Sequence, residues 1–549
     1  MTSWLLLGAL ACQKSAVIEE EVQEDTEAPP TVMDLPDDID EMPARRLLTR
    51  LSLDLRGVRP SIEEIEEIEV DPEALDGLIE DYLVDPRFPE RVMDVFAARY
   101  RTRTESYVVT ASDFGLDDEA AFLEAVGDEP LQILGYIAEN DLPYTTLVTA
   151  DWTMANEVLA QAWPVDYPDG AEGWQQVSYT DGRPGVGILS TSAMMWRYTT
   201  TQSNENRGRA NAVSRLLLCN DYLSRAIDFD DSVDLSDESA IQQAITTNPG
   251  CVSCHNTLDP LSSYFYGFWS LWEGSVVDAT LYHPERELFW QQYSGVEPSY
   301  FGTEPGSTFG DLGELIAGDD RFVTCAVEQV FESVLGRTVL LDDTDRLTAH
   351  REAFLERLTV RDLFRSVVSD GWYRAGDTDA EGAVPTKLVG ADLLASQILG
   401  LTGYDWRVQG YAMLGTDRLG LRTLAGGSDG RTVTRDASIA NPTMLLVQER
   451  IAEAATSYVL EQERELDPSE RSLFTEVSFE QTSDDRADFI AQIQRLHLMI
   501  FGRRIAEDGQ AVEANLALWD ELYAAVGDPE PAWGGLLNAL LRDPDFLLY

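Results

Sequence analysis

From Arg45 onward, apolar residues recur at three- and four-residue intervals, and short Gly, Pro and Asp breaks separate the runs. That spacing is the mark of amphipathic helices burying one face, and it predicts a mostly α chain built of several helical modules. One arrangement occurs three times. Its first copy runs from Arg46-Leu47-Leu48 through Asp54-Leu55-Arg56-Gly57 to Asp85-Pro86-Arg87-Phe88. The second runs from Val330-Phe331 through Leu335-Gly336-Arg337 to Asp370-Gly371-Trp372-Tyr373, and the third from Met499-Ile500-Phe501-Gly502-Arg503 to Asp543-Pro544-Asp545-Phe546. In each copy an apolar helix ends on Gly, which tolerates the left-handed conformation of a helix cap. A second apolar helix then closes on Asp followed shortly by an aromatic. These hairpins read as scaffold. Elsewhere Ser236 or Asp237 caps a helix running to Thr247, and Asn248-Pro249-Gly250 ends it. Asn441 and Pro442 start a long helix through about Glu463. The glycine-rich Gly426-Gly427-Ser428-Asp429-Gly430 lacks the strand and helix that flank a phosphate loop and reads as a turn.

Length and charge narrow the picture. A chain of 549 residues is too long for one core. Net charge is −58, from 98 acidic against 40 basic residues. Such a surface repels nucleic acid and anionic lipid and favours cationic partners or high-salt conditions. Residues 13–43 are acidic and Pro-containing, with little periodicity, and read as a flexible tether.

The chemistry concentrates in Cys251-Val252-Ser253-Cys254-His255. C-x-x-C-H is the attachment signature of a c-type haem. Each thiol adds to one porphyrin vinyl group, and the next residue turns an imidazole toward the iron as axial ligand. The chain has only five Cys and four His, so three of them in this order is unlikely to be an accident of composition. A disulfide within the motif and a redox dithiol are the other readings. A structural zinc site needs about four protein ligands, and no second Cys/His pair lies nearby. The following Tyr264-Phe265-Tyr266-Gly267-Phe268-Trp269 and Leu271-Trp272 suit either a wall for the porphyrin or ordinary core packing. The acidic patch from Asp228 to Glu238 lacks the glycine and spacing of a calcium loop.

The N-terminus, Met-Thr-Ser-Trp-Leu-Leu-Leu-Gly-Ala-Leu-Ala-Cys12, is a short apolar run ending in small residues before a Cys. It reads as a lipoprotein signal with Cys12 carrying the anchor, or as an ordinary signal peptide. A spanning helix takes about 20 residues, and no stretch of the chain is apolar for that long. Export to the periplasm or outer membrane agrees with the motif, because c-type haem is attached outside the cytoplasm. Attachment to a membrane would then be by the lipid alone.

Several segments together resemble the planctomycete-type cytochrome c family. They are Arg46 to Ser61, Thr149-Ala150-Asp151-Trp152 with Asn156-Glu157, Gly187-Ile188-Leu189 with Arg207-Gly208 and Leu218-Cys219, Cys251 to His255 with Asp259-Pro260, and Cys325 with Gly336-Arg337. They span half to two-thirds of the chain in the family's order. The resemblance implies an exported haem protein without implying a particular reaction. After Asp-Pro-Leu, however, Ser262-Ser263-Tyr264 stands where the family favours Gly and a Glu-containing turn.

The expected organisation is a signal (1–12), a tether (13–43), N-terminal helical modules (44–184), a haem module (185–300), a helical hairpin module (301–375) and a C-terminal helical module (376–549). The expected function is electron transfer by one covalent haem c, with an unidentified redox partner. A peroxidase-like enzyme with an open iron position, and a cell-surface scaffold or binding protein, are the alternatives. No Met lies between His255 and Met413, so the downstream Met ligand of small cytochromes c is not evident, and the iron position is open unless another group binds. Met194, Met195 and His283 are the leading candidates, followed by His350, Met413 and His497. Cys219 and Cys325 are either a disulfide, as an exported chain permits, or two separate buried thiols.

Overall fold

The helix Ala44–Arg56 lies between the two main cores. Leu47, Leu48, Leu51 and Leu55 point into a first core whose residues come mostly from Met42 to Tyr373. Leu53 points the other way, into a second core built from Val389 to Tyr549. One helix thus bolts the C-terminal part to the rest. In this computed structural model the described residues are 34–36, 38–201, 203–225, 233–234, 236–270 and 276–549. The expected mostly α fold is present, with about 59% helix and 4% strand. Two short antiparallel strand pairs join Thr153–Ala155 to Gln175–Val177 and Arg407–Val408 to Tyr411–Ala412. A third, smaller core between Val109 and Trp196 is rich in aromatics, and its Trp163 and Trp196 rings meet edge to face at 4.4 Å.

All three repeated helices end as their glycines require. Ala44–Arg56, Asp320–Leu335 and Arg486–Phe501 stop at Gly57, Gly336 and Gly502, with φ of 73°, 78° and 64°. Each copy then pairs an Arg beside the glycine with a carboxylate: Arg56 with Glu64 at 2.9 Å, Arg337 with Asp343 at 2.6 Å, and Arg503 with Asp545 at 2.6 Å. The closing Asp85, Asp370 and Asp543 each accept a backbone N–H two residues on, at 2.8, 2.7 and 2.9 Å. Phe88, Tyr373 and Phe546 are fully buried beyond them. The Arg and Asp residues of the repeats therefore hold the hairpins shut.

The short helix Thr146–Thr149 is gripped from two sides. A Cβ on Gly187, whose φ is +50°, would lie 2.1 Å from the Leu147 carbonyl oxygen, and one on Gly313 would lie 2.0 Å from that of Val148. Neither overlap can be relieved without moving backbone. Gly313→Ala is expected to cost about 3 kcal/mol, measured as a lower denaturant midpoint with unchanged slope; a midpoint equal to the parent's would refute the grip.

Other local expectations are met. Asn441 accepts from the N–H of Thr443 and Met444 and starts the helix Pro442–Glu463. Asp429 gathers the N–H groups of Arg431, Thr432 and Val433 at 2.7 to 2.8 Å, which makes the glycine-rich segment a turn. Phe265 and Tyr266 are fully buried and Phe268 and Trp269 nearly so, in a 3-10 segment Ser263–Phe268 and the residue after it. No described helix is long and apolar enough to cross a membrane.

Candidate functional site

Asn248-Pro249-Gly250 both ends one helix and begins the next. Asp237 caps Glu238–Thr247, and Asn248 then accepts from the Gly250 N–H at 2.9 Å to start Pro249–Ser262, with Pro249 in the first turn where its missing N–H costs nothing. Cys251, Cys254 and His255 therefore stand on the first two turns of this helix. Residues three and four apart share a helix face, so both thiols and the imidazole are presented together. The thiols are free and half-buried, while Ser253 between them is exposed. The helix packs on Arg207–Leu218 and Glu238–Thr247. The hydroxyls of Tyr222 and Thr257 join it to the neighbouring turn at 2.9 Å.

The imidazole has an elaborate backing. His255 Nδ1 lies 2.9 Å from Asp259 Oδ1, one helical turn on. Arg207, from the adjacent helix, grips the same carboxylate with two bonds, Nε to Oδ1 at 2.7 Å and Nη2 to Oδ2 at 3.0 Å. Arg207 is shared with Glu205, 3.0 Å away. Exposure falls from 23% at the His255 side chain to 13% at Arg207 and 6% at Asp259, so the carboxylate is shielded while the ring is still reachable. Burial alone would push the Asp259 carboxyl up; the hydrogen bonds from His255 and Arg207 and the guanidinium charge outweigh it, and the group stays below the usual carboxylate range. Glu205 goes the other way, raised by burial against the pull of Arg207, with the charge of Asp259 adding to the rise. On the other side of the motif, Arg225 Nη1 lies 4.0 Å from Cys254 Sγ and Nη2 donates to Asn220 at 2.7 Å.

These residues fit a c-type haem. Two unpaired thiols share a helix face with an imidazole whose Nδ1 is engaged and whose Nε2 makes no hydrogen bond among the described residues. A histidine that binds a metal through one nitrogen characteristically gives its other N–H to a carboxylate or carbonyl, which fixes the tautomer. No group of three or more His, Cys, Asp and Glu side chains that could hold a metal ion is found among the described residues, and an axial haem histidine does not need one.

The remaining candidates lie elsewhere. Met194 and Met195 are core residues of the helix Ser192–Arg197, which packs chiefly on Glu119–Glu139. His283 faces carboxylates with both nitrogens, Asp278 at 3.1 Å and Glu285 at 3.3 Å. His350 is buried between Ser366 at 2.7 Å and Asp370 at 3.1 Å. His497 meets Asn515 at 3.1 Å, and burial lowers its basicity. Met413 is buried beside the strand Tyr411–Ala412. Among the described residues none of these groups is hydrogen-bonded or ion-paired to His255, whose partner is Asp259. Cys219 and Cys325 are brought together as a disulfide, with Cα atoms 5.2 Å apart. Cys12, Leu271, Trp272 and the acidic patch from Asp228 to Asp231 lie outside the described residues.

Arg207 and Glu205 join the site through packing rather than through any motif around Cys251 to His255. Asp259 could have been reached from spacing, since it stands four residues after His255 on one helix. Arg207 is 52 residues from its partner, and although Arg207-Gly208 and Asp259-Pro260 both belong to the segments of the family resemblance, no local spacing pairs them. No protein-family model, no curated protein and no solved structure matches the chain.

Proposed function

We propose that the chain is an exported monohaem c-type cytochrome that transfers electrons, with Cys251 and Cys254 holding the porphyrin and His255 as axial ligand. The observation that carries this reading is the shared helix face of two free thiols and an imidazole backed by a buried carboxylate. When bound, the haem supplies a one-electron redox centre. The chain's own residues do the positioning. Asn248 caps the first turn of the helix that carries both thiols. Asp259 holds the His255 ring in the tautomer that leaves Nε2 for the metal, and Arg207 holds Asp259. The sequence resemblance to the planctomycete-type cytochrome c family supports the same reading, and export through the short apolar run before Cys12 is part of the proposal. A surface of charge −58 favours a cationic redox partner.

The test is to express the full chain with a cytochrome c maturation system. A haem that stays with the polypeptide through denaturation, and is lost from Cys251→Ser/Cys254→Ser, is the expected result. A colourless protein, from cells in which a control cytochrome matures, overturns it. A six-coordinate low-spin spectrum supports electron transfer. A high-spin spectrum with rapid reaction toward peroxide would replace that role with peroxidase chemistry.

A further inference from the structure

We infer that Asp259 and Arg207 form a charge pair that sets the reduction potential of the metal centre through His255, the carboxylate lowering it and the guanidinium limiting how far it falls. This rests on the haem reading above and goes beyond it, from which residues hold the group to which residues tune it.

The geometry assigns the two opposing roles. Asp259 Oδ1 is shared by two donors, His255 Nδ1 at 2.9 Å and Arg207 Nε at 2.7 Å. A carboxylate that accepts the imidazole N–H draws that proton toward itself and leaves negative charge on the ring. The opposite nitrogen becomes a stronger donor, which favours the more positive, oxidised state of a metal bound there. A second, bidentate donor on the same carboxylate competes for its electron density and weakens that effect. Arg207 is itself divided, because Glu205 takes part of its charge at 3.0 Å. The Asp259 and Arg207 side chains are only 6% and 13% exposed, so water screens these charges weakly. The groups come from two elements, the helix Pro249–Ser262 and the helix Arg207–Leu218, so the pair responds to how those helices pack.

The two residues therefore make predictions of opposite sign. Asp259→Asn keeps an oxygen able to accept the Nδ1 proton but removes the charge. The reduced-to-oxidised ratio at a fixed electrode potential should rise about tenfold, equal to about +59 mV for one electron. Arg207→Gln frees Asp259 to act on His255 alone, and the potential should fall below the parent's. Asp259→Glu, which restores the charge, should move back toward the parent. A role confined to folding would move both Asp259→Asn and Arg207→Gln in the same direction or neither. The measurement is a spectroelectrochemical titration of matured full-length protein, with thermal melts alongside. Opposite shifts support the inference. Haem-loaded variants whose potentials stay within threefold of the parent's ratio, or shift the same way, overturn it while the haem reading stands. If Asp259→Asn does not fold, Arg207→Gln alone decides by its sign. A colourless parent overturns both readings.

Discussion

Asp54→Ala should destabilise the folded chain by about 3–5 kcal/mol. Asp54 is 1% exposed and accepts three bonds, from Lys387 Nζ at 2.6 Å, the Tyr549 hydroxyl at 2.9 Å and the Tyr373 hydroxyl at 3.0 Å. Alanine leaves an ammonium and two hydroxyls buried; Lys387 keeps the Val334 carbonyl, at 2.8 Å, and the Tyr549 ring, 5.0 Å away. The penalty comes from the abandoned partners more than from the lost bonds. Replacing Asp54 and Lys387 together by Asn and Met removes both charges and should recover most of the loss, which a double-mutant cycle in urea at pH 7 would show as a strong coupling. Additive single losses would sink this account. The same site gives a pH dependence. Burial pulls the Lys387 ammonium from 10.5 down to about 8, against the opposing pull of Asp54. The unfolded chain therefore binds that proton more tightly, and stability from this group rises with pH between about 8 and 10.5.

Removing the Cys219–Cys325 bridge should cost about 4 to 5 kcal/mol, the chain-entropy figure for a loop of roughly one hundred residues. The two cysteines are 106 residues apart in sequence. Cys219 ends the helix Arg207–Leu218 in the left-handed conformation, and Cys325 lies in the middle of Asp320–Leu335, 1% exposed. Those helices also meet where Gln329 donates to the Leu216 carbonyl at 2.8 Å, so their contact does not depend on the sulfurs alone. Cys219→Ala/Cys325→Ala should therefore still fold, with a denaturant midpoint well below the parent's. Equal midpoints for the double variant and the oxidised parent would show that the bridge contributes nothing.

What could be read in the sequence was what short-range chemistry decides. The caps at Asp237 and Asn441, the glycine ends of the three repeated helices and the turn around Asp429 all lie within a few residues of their causes. The C-x-x-C-H segment was legible for the same reason, although its Asn-Pro-Gly lead-in reads as an end and proves also to be a beginning. The rest depends on pairs far apart in the chain. Asp54 meets Lys387 across 333 residues and Tyr549 across 495, and no periodicity announces such a meeting. Arg207 and Asp259 are closer, yet their pairing follows from the crossing of two helices. Residue type alone marks Met194, Met195 and His283 as distal candidates. Their surroundings, core for Met194 and Met195 and carboxylates for His283, come from packing that residue type does not encode.

The disulfide makes the stretch from Cys219 to Cys325, with Cys251, Cys254 and His255 inside it, a covalent ring. A ring cut once is still one molecule. A protease that severs the backbone anywhere between the two cysteines therefore detaches nothing, and the candidate site stays joined to the scaffold through whichever arm remains. Loss of the segment requires either a second cut or a reductant.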